Sequence, residues 1–130
     1  MTTPHAVLWM DHRRARMIFF GPGTSEIHEE ESQAPHAKLH RKARVIGSGK
    51  APDDHQFFDR IATRLRDANE VLVTGPSTAK NAFLTYVQER HPETFDRVVS
   101  VETLDHPTDG QLLAFAQHEM ARVDMLRGNV

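Results

Sequence analysis

Ser77, His106 and the carboxylates of Asp105 and Asp109 are the residue types a hydrolytic centre uses: a hydroxyl nucleophile, an imidazole base and an acid to orient it. They stand on two short segments, 74–80 and 104–111. An enzyme reading makes Ser77 the nucleophile, His106 the base, and Asp105 or Asp109 the orienter. A structural reading gives the same residues local work. Ser77 and Thr108 occupy helix N-cap positions, and Asp105 is placed as a turn acceptor. Pro107 stiffens the turn beside His106, and the strained G-x-S-x-G elbow is absent. The structural reading accounts for more of these residues. It leaves a binding loop at strand ends built from Thr74, Gly75, Ser77, Lys80, Asp105, His106, Thr108 and Asp109, with no catalytic residue among them.

Other chemistries are weaker. Gly75 and Lys80 at a helix start suggest a phosphate cradle, but Ala79 and Asn81 replace the glycine and hydroxyl residue that flank the Walker lysine. An anion on the helix amides stays open. Nine histidines are many for 130 residues, and His28, His36, His40 and His55 are the candidates for a metal. The HExxH pattern is missing, and solvated histidines explain them better. No cofactor is expected. The absence of cysteine excludes disulfides, thiolate zinc sites and cysteine nucleophiles.

Segment 32–52 carries Lys38, Arg41, Lys42, Arg44 and Lys50 with His36 and His40 and no acid. It reads as a solvated, mobile loop. The sharper alternative is a basic finger in which Lys38, Arg41, Lys42 and Arg44 contact RNA phosphates without reading sequence, since no aromatic is there to stack on bases.

The elements that must position these loops follow from periodicity. Apolar runs at 6–10 and 15–20 around Asp11-His12-Arg13-Arg14 predict a hairpin, and 25–31 (SEIHEEE) predicts a polar edge strand. Asp53 with Gln56 opens a helix whose face is Phe57, Phe58, Ile61, Ala62, Leu65 and Ala68, ending at Asn69. Val71-Leu72-Val73 then reads as a strand buried on both faces. A second helix spans 77–90 and stops at His91-Pro92. A strand over 97–103 follows, parallel to 71–74. Thr108 and Gln111 have capping-box spacing before a last helix that turns Leu112, Leu113, Phe115, Ala116, Met120 and Val123 inward. Trp9 is expected in the core, and Tyr86 half-buried with its hydroxyl at the rim. This order predicts one α/β domain over residues 1–130, a three-layer α/β/α sandwich on a mixed sheet.

Hydrophobic residues make up 38% and charged ones 26%, with a formal net charge of −2. That is a globular composition without a global field for nucleic acid or membrane. With no signal-peptide core and no long apolar run, a cytoplasmic location is expected.

Three segments carry a family resemblance: Asp11-His12-Arg13 with Ala15-Arg16, Val73-Thr74-Gly75-Pro76 with Ala79-Lys80, and Asp105 to Gln111 (DHPTDGQ). In these the chain resembles small bacterial proteins known as translational machinery proteins. Those are similar to the C-terminal domain of archaeo-eukaryotic peptide-chain release factors and Pelota. The resemblance implies a sandwich related to the kink-turn-binding ribosomal proteins. It also implies a non-enzymatic module that meets the ribosome, RNA or a translational GTPase. No GGQ motif occurs in the chain, and the loop signature that grips kink-turn RNA is not found.

Overall fold

The computed structural model describes residues 3–33 and 54–126. Lys38, Arg41, Lys42, Arg44, His36, His40 and Asp53 therefore lie outside the described residues.

Strands β1 (Thr3–Met10) and β2 (Arg14–Gly21) form the expected hairpin, and β3 (Thr24–Glu31) adds an edge strand. Asp11 closes the hairpin turn, its carboxylate accepting from the amides of Arg13 and Arg14 at 2.9 Å. Then come α1 (His55–Leu65), β4 (Ala68–Gly75), α2 (Ala79–Arg90), the one-turn helix α3 (Pro92–Phe95), β5 (Val98–Thr103) and α4 (Asp109–Leu126). The five strands lie in the order β3-β2-β1-β4-β5. The hairpin pairs are antiparallel, whereas β1·β4 and β4·β5 are parallel, so the sheet is mixed as predicted.

Alternation along the central strands splits the core in two. Ala6, Leu8 and Met10 join Phe57, Ile61 and Phe83 beneath α1 and α2. Val7 and Trp9 join Ile18, Phe20, Leu112 and Met120 beneath α4. Helices on both faces of one sheet give the α/β/α sandwich. The polar edge strand is explained by its partners: Glu31 lies opposite Arg14 and Glu29 opposite Arg16, while Glu30 binds Arg60 at 3.0 Å and Arg64 at 3.3 Å.

Several boundaries differ from the sequence reading. The α1 cap is Asp54, one residue beyond the expected Asp53; its carboxylate accepts from the Phe57 amide at 3.0 Å. The helix ends at Leu65 instead of Asn69 because a tightened last turn intervenes, with the Arg66 and Asp67 amides donating to Thr63 and Arg64. Ala68 thereby belongs to β4, paired with Thr3, and not to the helix face. Pro92 does not merely stop α2 but starts α3, where its missing N–H costs nothing.

The last helix is tied to β5 through Glu119. Its carboxylate accepts from Ser100 Oγ at 3.0 Å and from Arg122 at 2.7 Å. The Arg122 bond holds the Glu119 carboxyl below its ordinary range, outweighing burial, which pushes it up. A folded-state value lowered in this way contributes stability that is present above the unfolded carboxylate value of about 4.3 and lost as pH falls through the folded one. Glu119→Gln is accordingly expected to cost about 1 kcal/mol near neutral pH, discounted for the exposed Arg122. The difference from wild type should shrink towards pH 3 in paired urea titrations.

Candidate functional site

The carboxyl ends of β1 and β4 and the segment 104–111 meet at one edge of the sheet. Leu104 N donates to Gly75 O at 3.1 Å, continuing the β4·β5 ladder into that segment. Beside it a cleft of about 570 Å³ is lined by Trp9, Arg16, His106, Pro107 and Asp109, with Glu29–Glu31 of β3 across the opening.

Two side chains from the hairpin build the loop. Trp9, 1% exposed, donates its indole N–H to the carbonyls of Asp105 (2.8 Å) and Leu104 (3.3 Å). The Arg16 guanidinium lies 4.9 Å above the Trp9 ring, donates Nη2 to Pro107 O at 2.8 Å and pairs Nη1 with Asp109 Oδ1 at 2.7 Å. A delocalised, weakly hydrated fork suits this combination of ring, carbonyl and carboxylate. From below, the expected capping box forms in both directions. Gln111 N donates to Thr108 Oγ1 at 3.1 Å, and Thr108 N donates to Gln111 Oε1 at 2.9 Å. Thr108→Ala should cost about 1 kcal/mol, the usual loss for a cap hydroxyl, read from a urea titration.

His106 is exposed. Its ring packs 5.1 Å from Trp9, and Nδ1 lies 3.0 Å from Asp105 Oδ1. The imidazole and Asp105 are thus brought together as the enzyme reading requires. Ser77 is not among the ring's partners in the described residues. Asp109 does not orient His106; it is committed to Arg16.

The other half of the predicted loop is architectural. Thr74 is fully buried, donating Oγ1 to Leu8 O at 2.8 Å. Gly75 lies where a Cβ would collide with the Met10 carbonyl oxygen. Lys80 is 6% exposed and donates Nζ to Ser77 O at 2.7 Å, so its ammonium is turned into the helix start and away from a phosphate. Ser77 is exposed and does not cap: the N-cap of α2 is Thr78, without a side-chain cap bond. Gly75-Pro76 lengthens the turn by one residue, which moves the first helical amides beyond the reach assumed for Ser77.

The candidate metal histidines do not converge. His28 Nε2 meets Glu26 at 2.9 Å, whereas His55 stacks on Tyr86 at 4.5 Å. Tyr86 is half-buried, and its hydroxyl donates to Asp59 at 2.6 Å with His91 Nε2 2.8 Å from the same oxygen. Burial pushes the Asp59 carboxyl up, but the bonds from His91 and Tyr86 prevail and it lies below its ordinary value.

Arg16 is the residue the site reading passed over. Its signal was a charged residue inside the apolar run 15–20, which alternation alone assigns to a sheet face that should be buried.

A mixed five-stranded sheet with helices on both faces and a clamped loop at its carboxyl edge defines the α/β fold of the Pelota and release-factor C-terminal domains. A Pelota homologue of Archaeoglobus fulgidus is 36% identical over 58 residues, 43% of this chain and 17% of that protein. The crystal structure of Archaeoglobus fulgidus Pelota superposes over 98% of this chain and 34% of its own, with a TM-score of 0.65 and 20% identity. The archaeal translation termination factor aRF1 covers 95% of this chain and 41% of its own, with a TM-score of 0.57 and 12% identity. Dom34 of S. cerevisiae, a translation termination-like factor that interacts with Hbs1, covers 95% and 36%, with a TM-score of 0.57 and 6% identity. The chain spans between about a third and two fifths of the length of these three structures. No family model matches the chain. Among the described residues no helix is long and apolar enough to cross a membrane.

Proposed function

We propose that this domain is a non-enzymatic binding module of translation, presenting the 104–111 face to the ribosome or to a translational GTPase. One observation carries the reading. Trp9 and Arg16 spend their donors on the backbone carbonyls of residues 104, 105 and 107, which fixes the shape of an exposed loop and leaves Asp105, His106 and Thr108 outward. A rigid, polar, pre-shaped surface lowers the ordering cost of association. Likeness of fold to Pelota, aRF1 and Dom34, factors of translation by their names, supports the setting.

Segment 34–53 adds a phosphate-contacting element through Lys38, Arg41, Lys42 and Arg44. The experiment is sedimentation of the purified chain with ribosomes at two salt concentrations. Wild type should pellet with ribosomes, and less so at high salt, since each neutralised phosphate releases counterions. Changing all four basic residues to Ala should weaken pelleting roughly tenfold or more, about what one or two phosphate contacts contribute. Equal pelleting of both proteins excludes the basic contact; no pelleting of either excludes the ribosome.

The bond between His106 and Asp105 supports a second reading, a small hydrolase that borrows a hydroxyl from substrate or water. Turnover of a nucleotide, phosphoester or acyl ester by wild type that disappears in His106→Asn would establish it.

A further inference from the structure

We infer that the amino end of the sheet holds a divalent transition-metal site, of the zinc type, made by His5, Glu70 and Asp124. The donor atoms of these three residues lie within 4.8 Å of one another, and each residue is partly buried. Three separate elements supply them. His5 and Glu70 are direct partners in the parallel β1·β4 pairing, and Asp124 descends from the last turn of α4.

The arrangement is built rather than incidental in three respects. First, the His5 ring is held: it packs 5.3 Å from Phe20, a member of the core under α4, which directs Nε2 at Glu70. Second, His5 Nε2 and Glu70 Oε1 are 3.3 Å apart. Two ligands bound tetrahedrally at about 2.0–2.1 Å stand about 3.3–3.4 Å from each other, so this pair already has the edge length of a zinc polyhedron. Third, two carboxylates and the carbonyl end of a helix, which carries partial negative charge, converge on a single imidazole. A divalent cation satisfies all of them at once. The imidazole donor selects a transition metal over magnesium or calcium, which prefer all-oxygen ligands. Three protein ligands leave a fourth position for water.

The site stands apart from the cleft. His5 and Trp9 lie on the same face of β1, four residues or about 13 Å apart along the strand. Its expected effect is to fasten the end of α4 to the sheet.

The test is calorimetric titration of the whole chain with zinc chloride, alongside long-range imidazole nitrogen spectra in which each histidine is resolved. One equivalent should bind, with the Nε2 resonance of His5 moving by tens of ppm. His5→Gln and Asp124→Asn should each weaken binding at least tenfold while leaving far-UV circular dichroism unchanged. Zinc should also raise the thermal midpoint of wild type and not that of either variant. Binding that survives both substitutions, or a shift confined to other histidines, overturns the assignment. So does the absence of any heat at micromolar protein, which would leave protonated His5 as the only counter-charge.

Discussion

Gly75→Ala is expected to be the most damaging single-methyl change in the molecule. Gly75 ends β4 in full burial, with its carbonyl accepting from Leu104 N at 3.1 Å. An added Cβ would run into the Met10 carbonyl oxygen, which belongs to the central strand and cannot rotate aside. Relief needs a displacement of β1, β4 or both, and the loop that hangs from Gly75 would move with them. A cost of about 3 kcal/mol is expected, at the upper end for overpacking because the obstacle is backbone. Gly23 supplies the control. It has a φ of +73° but open space around its Cβ position. Gly23→Ala carries only the left-handed penalty, about 1–2 kcal/mol. Urea titrations of the two variants should therefore rank Gly75→Ala clearly worse. Equal losses would mean that the carbonyl contact is not what requires glycine at position 75.

Arg16→Ala should follow closely. It removes the pair with Asp109, the bond to Pro107 O and the cation over Trp9, from a side chain only 15% exposed. A loss of about 2–3 kcal/mol is expected, a charge-assisted pair and a bond to a carbonyl less the screening at half-exposed Asp109. Arg16→Lys should recover less than half of it, because a point charge cannot serve the carbonyl, the carboxylate and the ring together. Trp9 fluorescence reports the change independently of unfolding. The emission should shift to longer wavelength in Arg16→Ala as water reaches the indole edge. An unchanged spectrum with an unchanged urea midpoint would show that Arg16 does not clamp the loop.

What could be read from the sequence was what local spacing determines. Thr108 and Gln111 are three residues apart, so their reciprocal cap is written in four consecutive positions, and it formed as expected. The buried character of Val71–Val73, the polar edge strand and the inward face of α4 follow from periods of two and of 3.6. The sandwich followed from the order of those elements. What escaped depends on partners far away in the chain. Arg16 meets Asp109 across 93 positions, and Trp9 meets Asp105 across 96. No local rule announces either. Lys80 misled for the same reason: a lysine near a glycine at a helix start has the look of a phosphate ligand, yet its ammonium turns back to Ser77 O. Ser77 itself lost its cap role because the turn was one residue longer than its spacing implied. His5, Glu70 and Asp124 span nearly the whole chain and come together only through the parallel β1·β4 register.

The central claim is that the clamped 104–111 loop is a recognition surface. Hydrogen exchange read by mass spectrometry, on the chain alone and with saturating ribosomes, tests it most directly. Peptides covering 105–111 and the hairpin turn at 11–16 should gain protection on complex formation, while those of α1, on the far face of the sheet, stay unchanged. Bound chain whose 105–111 peptides exchange as fast as in the free protein would contradict the account.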